Sequence, residues 1–217
     1  MKVMIDDNLK TLTPNFSVGV LECNVEIGHS NLVNHLVEEL ELLISSTINI
    51  EDVVQLDIIK DGRDAYKIYG KDPSRYRLAV ESLYRRLSKG NSLYRINNCV
   101  DLGNIISIKT RKSVAVLDYD RIKSDILIRL GKNTDLYEGI GRGKLNIENI
   151  PLYEDSLGPF GSVTSDTERT MITENTKRVL LFIISFSGKN GLYDELEYAK
   201  NLFDKYANGS DFDYYIL

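Results

Sequence analysis

The chain has 217 residues, with 27 lysine and arginine residues against 32 aspartate and glutamate residues, and its formal net charge is −5. Its 42% hydrophobic and 27% charged residues exclude a disordered, collagen-like or low-complexity protein. The acidic balance also argues against a protein whose whole surface clamps duplex DNA, although a local basic patch can still hold a nucleic acid.

Two cysteines, Cys23 and Cys99, are too few for a disulfide framework or a cysteine zinc site. The histidines His29 and His35 are six residues apart and belong to no cluster of metal ligands. The longest apolar runs are far shorter than the roughly 20 residues that a membrane span requires, and no signal peptide is visible. We therefore expect a cytoplasmic protein without a metal, a cofactor or a membrane contact.

The first part of the chain predicts one strand followed by helices. Residues 16–25 are rich in β-branched residues and predict a strand. Ser30 is a suitable N-cap for a helix whose predicted buried stripe is Leu32, Val33, Leu36, Val37, Leu40, Leu43 and Ile44. Residues 51–69 predict a weaker helix.

Residues 74–89 give the clearest helical pattern. Asp72-Pro73-Ser74 is expected to start this helix and Gly90 to end it. One side carries apolar residues from Tyr76 to Leu87. The other side is predicted to face solvent and carries Arg75, Arg77, Glu81, Arg85, Arg86 and Lys89.

The second part of the chain predicts mainly strands. A short helix over 101–109 precedes a strand over 113–117, and residues 125–184 show short apolar runs separated by glycine, asparagine and proline. A helix over 191–206 and a strand over 212–217 follow. The predicted helices lie mostly in the N-terminal half of the chain, and mixed or antiparallel strands lie mostly in the C-terminal half. This order predicts one compact α+β domain over residues 1–217.

The stretch Gly139-Ile-Gly-Arg-Gly-Lys144 invites comparison with a phosphate-binding loop. Its glycine spacing does not match that motif, and leucine follows the lysine where serine or threonine is needed. The stretch therefore predicts a flexible turn.

The segment 71–95 has a charge of about +5, from seven basic and two acidic residues, inside an acidic protein. Together with neighbouring tyrosines it can bind phosphates and stack a base. The candidate RNA-binding residues are Arg75, Arg77, Arg85, Arg86 and Lys89. Alternatively, the arginines pair with acidic neighbours on an ordinary solvated face.

Polar residues that make directed hydrogen bonds are dense at 95–98, at Asp101 with Asn104, and over 164–170. They fit either a binding pocket or turn and cap chemistry, since the same residue types serve both.

These segments, taken in order, resemble the B3/4 domain of the phenylalanyl-tRNA synthetase β subunit in its free-standing bacterial form. The resemblance covers a core of about residues 70–187. It rests on the runs 74–86, 95–97, 100–104, 107–108, 118–122 and 165–176.

In the synthetase, that α+β domain holds the editing site, where tyrosine wrongly attached to the tRNA for phenylalanine is hydrolysed. The resemblance implies a pocket for an amino acid or aminoacyl ester near a tRNA 3′ end, and Asn104 matches the family's pocket asparagine. Such hydrolysis needs no metal, only an oriented water and a stabilised oxyanion. The predicted pocket residues are Arg95, Asn97, Asn98, Asp101, Asn104, Gly161, Arg169, Thr170 and Glu174, with backbone amides near Gly161 as oxyanion donors.

Two positions depart from the family pattern. Ala115 stands where synthetase domains often have a histidine, and Phe182 replaces the acidic residue that binds the tyrosine hydroxyl. The resemblance therefore implies a related pocket rather than tyrosine-specific editing.

Three hypotheses follow from the sequence. The first is a trans-acting deacylase of mischarged aminoacyl-tRNA. The second is a non-catalytic module that binds RNA, tRNA or a small amino-acid-like ligand. The third is an interaction partner of a translation or metabolic enzyme.

Overall fold

Six α-helices and ten β-strands form the fold in the computed structural model, which describes residues 1–217. The helices are α1 (Asp7–Leu12), α2 (Asn31–Thr47), α3 (Asp57–Ile68), α4 (Ala79–Leu87), α5 (Asn98–Thr110) and α6 (Leu192–Ala207). The strands are β1 (Val3–Ile5), β2 (Ser17–Asn24), β3 (Ser113–Asp118), β4 (Ile126–Leu130), β5 (Glu138–Gly139), β6 (Gly143–Lys144), β7 (Pro151–Asp155), β8 (Gly158–Ser162), β9 (Arg178–Ser185) and β10 (Ser210–Ile216). Five of the six helices precede β3, and eight of the ten strands are β3 and those that follow it along the chain. This order confirms the predicted α+β class.

The strands form two four-stranded sheets and one small hairpin. The first sheet has the order β1-β4-β7-β8, and the second has the order β10-β2-β9-β3. β1 and β4 run parallel, whereas the other pairs are antiparallel. The β5–β6 hairpin contains the predicted glycine-rich turn, in which Gly141 and Gly143 have positive φ.

The second sheet lies between the helices and the first sheet. On one face, Leu196 of α6 packs over Gly19 of β2. On the other, the ring of Phe182 in β9 meets the ring of Tyr153 in β7 edge to face, with centroids 5.0 Å apart. Since β9 is the buried centre of this arrangement, β3 remains as an edge strand beside α5.

The helix predicted over 74–89 begins later than expected, at Ala79. Leu78 is extended, with ψ of 146°, and the Ala79 N–H donates to the Val163 carbonyl over 2.9 Å. A turn closed by Asp72 occupies the preceding residues, because its carboxylate accepts from the Ser74 N–H. Tertiary contacts therefore override the helical pattern there.

The other early predictions are confirmed with small shifts. Ser30 caps α2 by accepting from the Val33 N–H, and the residues predicted as a weaker helix form a short 3₁₀ helix (Asp52–Gln55) followed by α3. The predicted stripe of α2 is wrong at two positions, because Leu32 and Leu43 are 64% and 50% exposed.

Glu81 was predicted to face solvent, and this prediction is wrong because its side chain is 0% exposed. Arg63 of α3 and Arg85 each place a nitrogen 2.8 Å from its carboxylate, and Arg77 lies 3.9 Å away. Arg63 also donates to the Pro73 carbonyl. One buried carboxylate therefore joins α3, the turn before α4, and α4 itself.

Replacing Glu81 with alanine is expected to lower the free energy of unfolding by about 1.5–3 kcal/mol, because the partly exposed guanidinium groups of Arg63 and Arg85 lose the carboxylate that accepts their hydrogen bonds. Urea unfolding measures this change. The control is Glu38→Ala, whose exposed carboxylate pairs only with the exposed His35 and whose loss should matter by less than about 0.5 kcal/mol. Similar changes for the two variants would contradict this account of Glu81.

Candidate functional site

A cavity of about 260 Å³ opens at the edge of the second sheet. Its walls come from α5, β3, the tip of the β5–β6 hairpin and the segment 166–172. Eight of the eleven lining residues are hydrophobic. The other three are Gly103, Asn104 and Asp166, so two polar side chains lie in an otherwise apolar space.

The helical wall is held close to β3 by a glycine. A Cβ atom on Gly103 would lie 2.5 Å from Cγ2 of Val116, so any side chain there would push α5 and β3 apart. Asn104 follows in the helix and lines the cavity, and its amide makes no hydrogen bond within the protein. The predicted pocket asparagine therefore lines the cavity.

Asp166 lies on the opposite wall beside another glycine. A Cβ atom on Gly161 would lie 2.7 Å from Oδ1 of Asp166, so only glycine permits this approach. The same oxygen accepts one long hydrogen bond, 3.4 Å, from the Ser162 N–H. Burial raises the pKa of the Asp166 carboxyl from its ordinary value of 3.8 to about 7.

Tyr137 and Tyr153 lie near this carboxyl, and Tyr66 lies near both of them. Tyr137 donates its hydroxyl hydrogen to the Ser165 carbonyl, and the Tyr66 hydroxyl hydrogen-bonds to the Thr164 hydroxyl over 2.7 Å. Burial raises the pKa of Tyr66, Tyr137 and Tyr153. All three therefore remain neutral and supply Asp166 with no counter-charge.

Two predicted pocket residues fasten the loop that carries Asp166. Arg169 donates two hydrogen bonds of 2.9 Å to the Asp155 carboxylate and one to the Gly158 carbonyl. Thr170 donates to the Phe160 carbonyl over 3.2 Å. Neither side chain lines the cavity, and the contacts of both hold the loop in place.

Asn97 and Asn98 determine where α5 begins. Asn97 caps the helix by accepting from the Val100 N–H. Oδ1 of Asn98 accepts from the Gly28 N–H, and its Nδ2 donates to the carbonyls of Glu26 and Tyr206. These amides are engaged within the protein and do not line the cavity.

Arg95 and Asp101 hold the segment just before α5. Arg95 forms an ion pair of 2.8 Å with Glu41 and donates to the Leu93 carbonyl. Asp101 accepts from the Ile96 N–H over 3.1 Å, and Ile96 lines the cavity. Arg95 and Asp101 therefore hold Ile96 in its position on the apolar wall of the cavity.

The remaining predicted positions lie elsewhere. Glu174 is exposed in a turn and does not line the cavity. Ala115 and Phe182 are paired across β3 and β9, on the face that packs against the first sheet. Their neighbours Val114 and Val116 face the cavity instead.

Asp166 is not among the predicted pocket residues. It belongs to the polar segment 164–170, which also contains Glu168, and which of the two acids lines the cavity depends on Gly161 in β8. The apolar wall from Ile140, Met171 and Ile172 was also missed, because these residues meet only in three dimensions.

The candidate RNA-binding residues divide into two groups. Arg77 and Arg85 are drawn to the buried Glu81. Arg75 and Lys89 are exposed, and the Arg86 guanidinium lies 4.2 Å from the centroid of the Tyr94 ring. The cationic surface is therefore smaller than its charge of about +5 suggested.

Comparisons with known proteins identify a family. The family model described as the B3/4 domain matches residues 61–199. An N-terminal fragment of the phenylalanyl-tRNA synthetase beta subunit from Pyrococcus horikoshii is similar in structure, with a TM-score of 0.48 and 15% identity. The match covers 96% of this chain and 49% of the fragment, so this chain spans about half its length. No curated protein matches the sequence.

No group of three or more histidine, cysteine or acidic side chains is arranged to hold a metal ion. None of the six helices combines the length and hydropathy needed to cross a membrane.

Asp166→Asn is expected to become increasingly more stable than the wild type as the pH rises from about 4 to about 7. In this window the folded wild type holds a proton that the unfolded chain has released, so its stability falls by up to about 1.4 kcal/mol per pH unit. Asparagine removes this dependence while keeping an acceptor for the Ser162 N–H. Urea unfolding at about pH 4.5 and about pH 8 measures the difference.

The exposed Glu168→Gln variant is the control and should follow the wild type at both pH values. An equal stability difference between Asp166→Asn and the wild type at the two pH values would show that the carboxyl does not titrate as the cavity requires.

Proposed function

This chain belongs to the B3/4 domain family, and we propose that its cavity binds the aminoacyl group of an aminoacyl-tRNA and hydrolyses the ester. The observation that carries the proposal is the pairing of Asn104 and Asp166 across an apolar cavity. Neither side chain is saturated by protein partners: the Asn104 amide makes no hydrogen bond within the protein, and the Asp166 carboxyl accepts only one, from the Ser162 N–H. Both therefore have hydrogen-bonding capacity for a ligand.

The cavity's size favours a small ligand. Its volume of about 260 Å³ lies just below the range of about 300–1,000 Å³ that drug-sized and cofactor sites occupy. Apolar walls suit an amino-acid side chain, whereas the base and ribose of a nucleotide would need more room and more hydrogen-bonding groups.

The charge of the cavity favours an ester over a free amino acid. No lysine or arginine lines it, so a free carboxylate would be buried there without a cation, which is strongly unfavourable. An ester removes that charge. The tRNA-linked form is therefore the better ligand.

The reaction is an ester hydrolysis. A water oxygen attacks the ester carbonyl carbon, the bond to the tRNA hydroxyl oxygen breaks, and that oxygen takes up a proton as it leaves. The Asn104 amide can donate a hydrogen bond to the developing oxyanion. This role requires no group beyond those that line the cavity.

Replacing Asn104 with alanine is expected to lower the rate of deacylation by about a hundredfold, as for other single oxyanion donors. A panel of mischarged tRNAs incubated with the purified protein provides the assay. Asn175→Ala, in an exposed turn, should leave the rate unchanged.

Binding of an amide-linked aminoacyl-tRNA analogue, compared with uncharged tRNA, separates binding from chemistry. Equal affinity for both, together with no deacylation above buffer, would overturn the proposal. Preferential binding without deacylation would retain the aminoacyl site and remove the hydrolysis.

A second candidate function is RNA binding on the surface formed by Arg86, Lys89 and Tyr94. Tyr94 is 69% exposed beneath the Arg86 guanidinium, an arrangement that suits a phosphate beside a stacked base. Ile96 follows two residues later and lines the cavity. The surface and the candidate site thus have residues that are near each other along the chain.

Reversing both charges, as Arg86→Glu with Lys89→Glu, is expected to weaken tRNA binding and to reduce the slope of log affinity against log salt by about 1.4. Each phosphate contact on a single strand contributes about 0.7 to that slope. Affinity measured over a salt series tests this. The matched control is Lys10→Glu, on the exposed surface of α1, and an unchanged slope in the double variant would exclude the surface.

A further inference from the structure

Asp166 is the single ionisable group that lines the cavity. Its Oδ1 is held by the long hydrogen bond from the Ser162 N–H, and no hydrogen bond within the protein engages Oδ2. We propose, resting on the proposed function, that Asp166 binds the ammonium group of the ligand as a carboxylate, and that ligand binding releases one proton from the protein.

The surroundings of Asp166 contain no competing cation. The titratable groups around it are Tyr66 from α3, Tyr137 from the segment before β5, and Tyr153 from β7, all neutral. The nearest arginine along the chain, Arg169, is committed to Asp155 through two hydrogen bonds. A ligand cation therefore meets no rival for this carboxyl.

The geometry fixes where the ammonium lies. Gly161 lets Oδ1 of Asp166 approach the strand closely, so the carboxyl is held at a defined position on one wall. Asn104 lies on the other wall. A ligand whose ammonium pairs with Asp166 can place its carbonyl towards Asn104 while its side chain occupies the apolar space between them.

The number of protons released on ligand binding follows from the protonation state of Asp166 in the protein without ligand. Below neutral pH the carboxyl is protonated because burial disfavours its charge. When an ammonium group enters, the carboxyl O–H bond breaks, its proton passes to solvent, and the carboxylate pairs with the ammonium. No other reactant is needed.

Two expected ligand-binding properties distinguish this arrangement from a purely apolar pocket. Ligands without an ammonium group should bind weakly, because they leave the carboxyl without a charged partner. Affinity for a permanently protonated amine should rise by up to about tenfold per pH unit below neutral pH and level off above it.

The test uses amino alcohols, which carry the amino-acid side chain and ammonium group but no carboxylate. L-leucinol and L-phenylalaninol are titrated into the full chain by calorimetry between about pH 5.5 and about pH 8, in buffers of different ionisation enthalpy. At the acidic end we expect about one proton released per ligand bound. The des-amino counterparts should bind about tenfold or more weakly at the alkaline end.

Asp166→Asn keeps the shape and the Ser162 contact but cannot carry the charge. It should lose about tenfold or more in affinity for the amino alcohols at the alkaline end, and its affinity should no longer vary with pH. Glu168→Gln, the exposed acid in the same segment, should match the wild type in both respects.

The outcomes separate the two proposals. Equal binding of the amino alcohols and their des-amino counterparts, or pH-dependent binding that persists in Asp166→Asn, would overturn the role of Asp166 while leaving an apolar ligand site intact. No binding of any of these compounds to the wild type would overturn the ammonium site together with the aminoacyl site.

Discussion

The fold around the candidate site depends on one buried carboxylate. Glu81 has no exposed surface and gathers arginines from α3, from the turn before α4 and from α4 itself. A charge in that position can remain in the interior only when it is paired, so these elements must keep their relative positions. Since α4 packs against α5 and β3, the same constraint supports the two elements that form the inner wall of the cavity.

The carboxyl group of Asp166 lies in an environment opposite to that of Glu81. Glu81 is surrounded by guanidinium groups and fixes structure, whereas Asp166 has neutral tyrosines around it and one long hydrogen bond. A carboxyl with a perturbed pKa in a cavity, without a charged partner, is a feature of functional sites more often than of structural ones. The contrast between the two acids is the reason why the proposed site is at Asp166 and Asn104 and not on the basic helix.

Local patterns in the sequence predicted the class of the fold and most elements, because helix caps such as Ser30 and apolar periodicity are local properties. These patterns failed where contacts between residues that are far apart in the sequence determine the local structure. The N-terminal part of the helix predicted from residue 74 yields to a hydrogen bond with Val163, and Glu81 turns inward because Arg63 comes from another helix. The motif resemblance located Asn104, but capping, ion pairs and loop support occupy Asn97, Asn98, Asp101, Arg95, Arg169 and Thr170. The position of Asp166 depends on its approach to Gly161 across the loop that follows β8, a contact that no periodicity reveals.

The two walls of the cavity differ in how they are attached. On one side, the start of α5 is tied by Asn98 to the chain after β2 and to the end of α6. On the other, the β5–β6 hairpin reaches the Asp166 segment through the Ile140 N–H and through Tyr137 just before it. One wall is thus anchored to two parts of the chain through three hydrogen bonds, whereas the hairpin on the other side is short and has few attachments. Changes in the length or sequence of that hairpin would alter the volume of the cavity without disturbing the helix that carries Asn104, so the size of the cavity and the position of its one amide side chain can change independently.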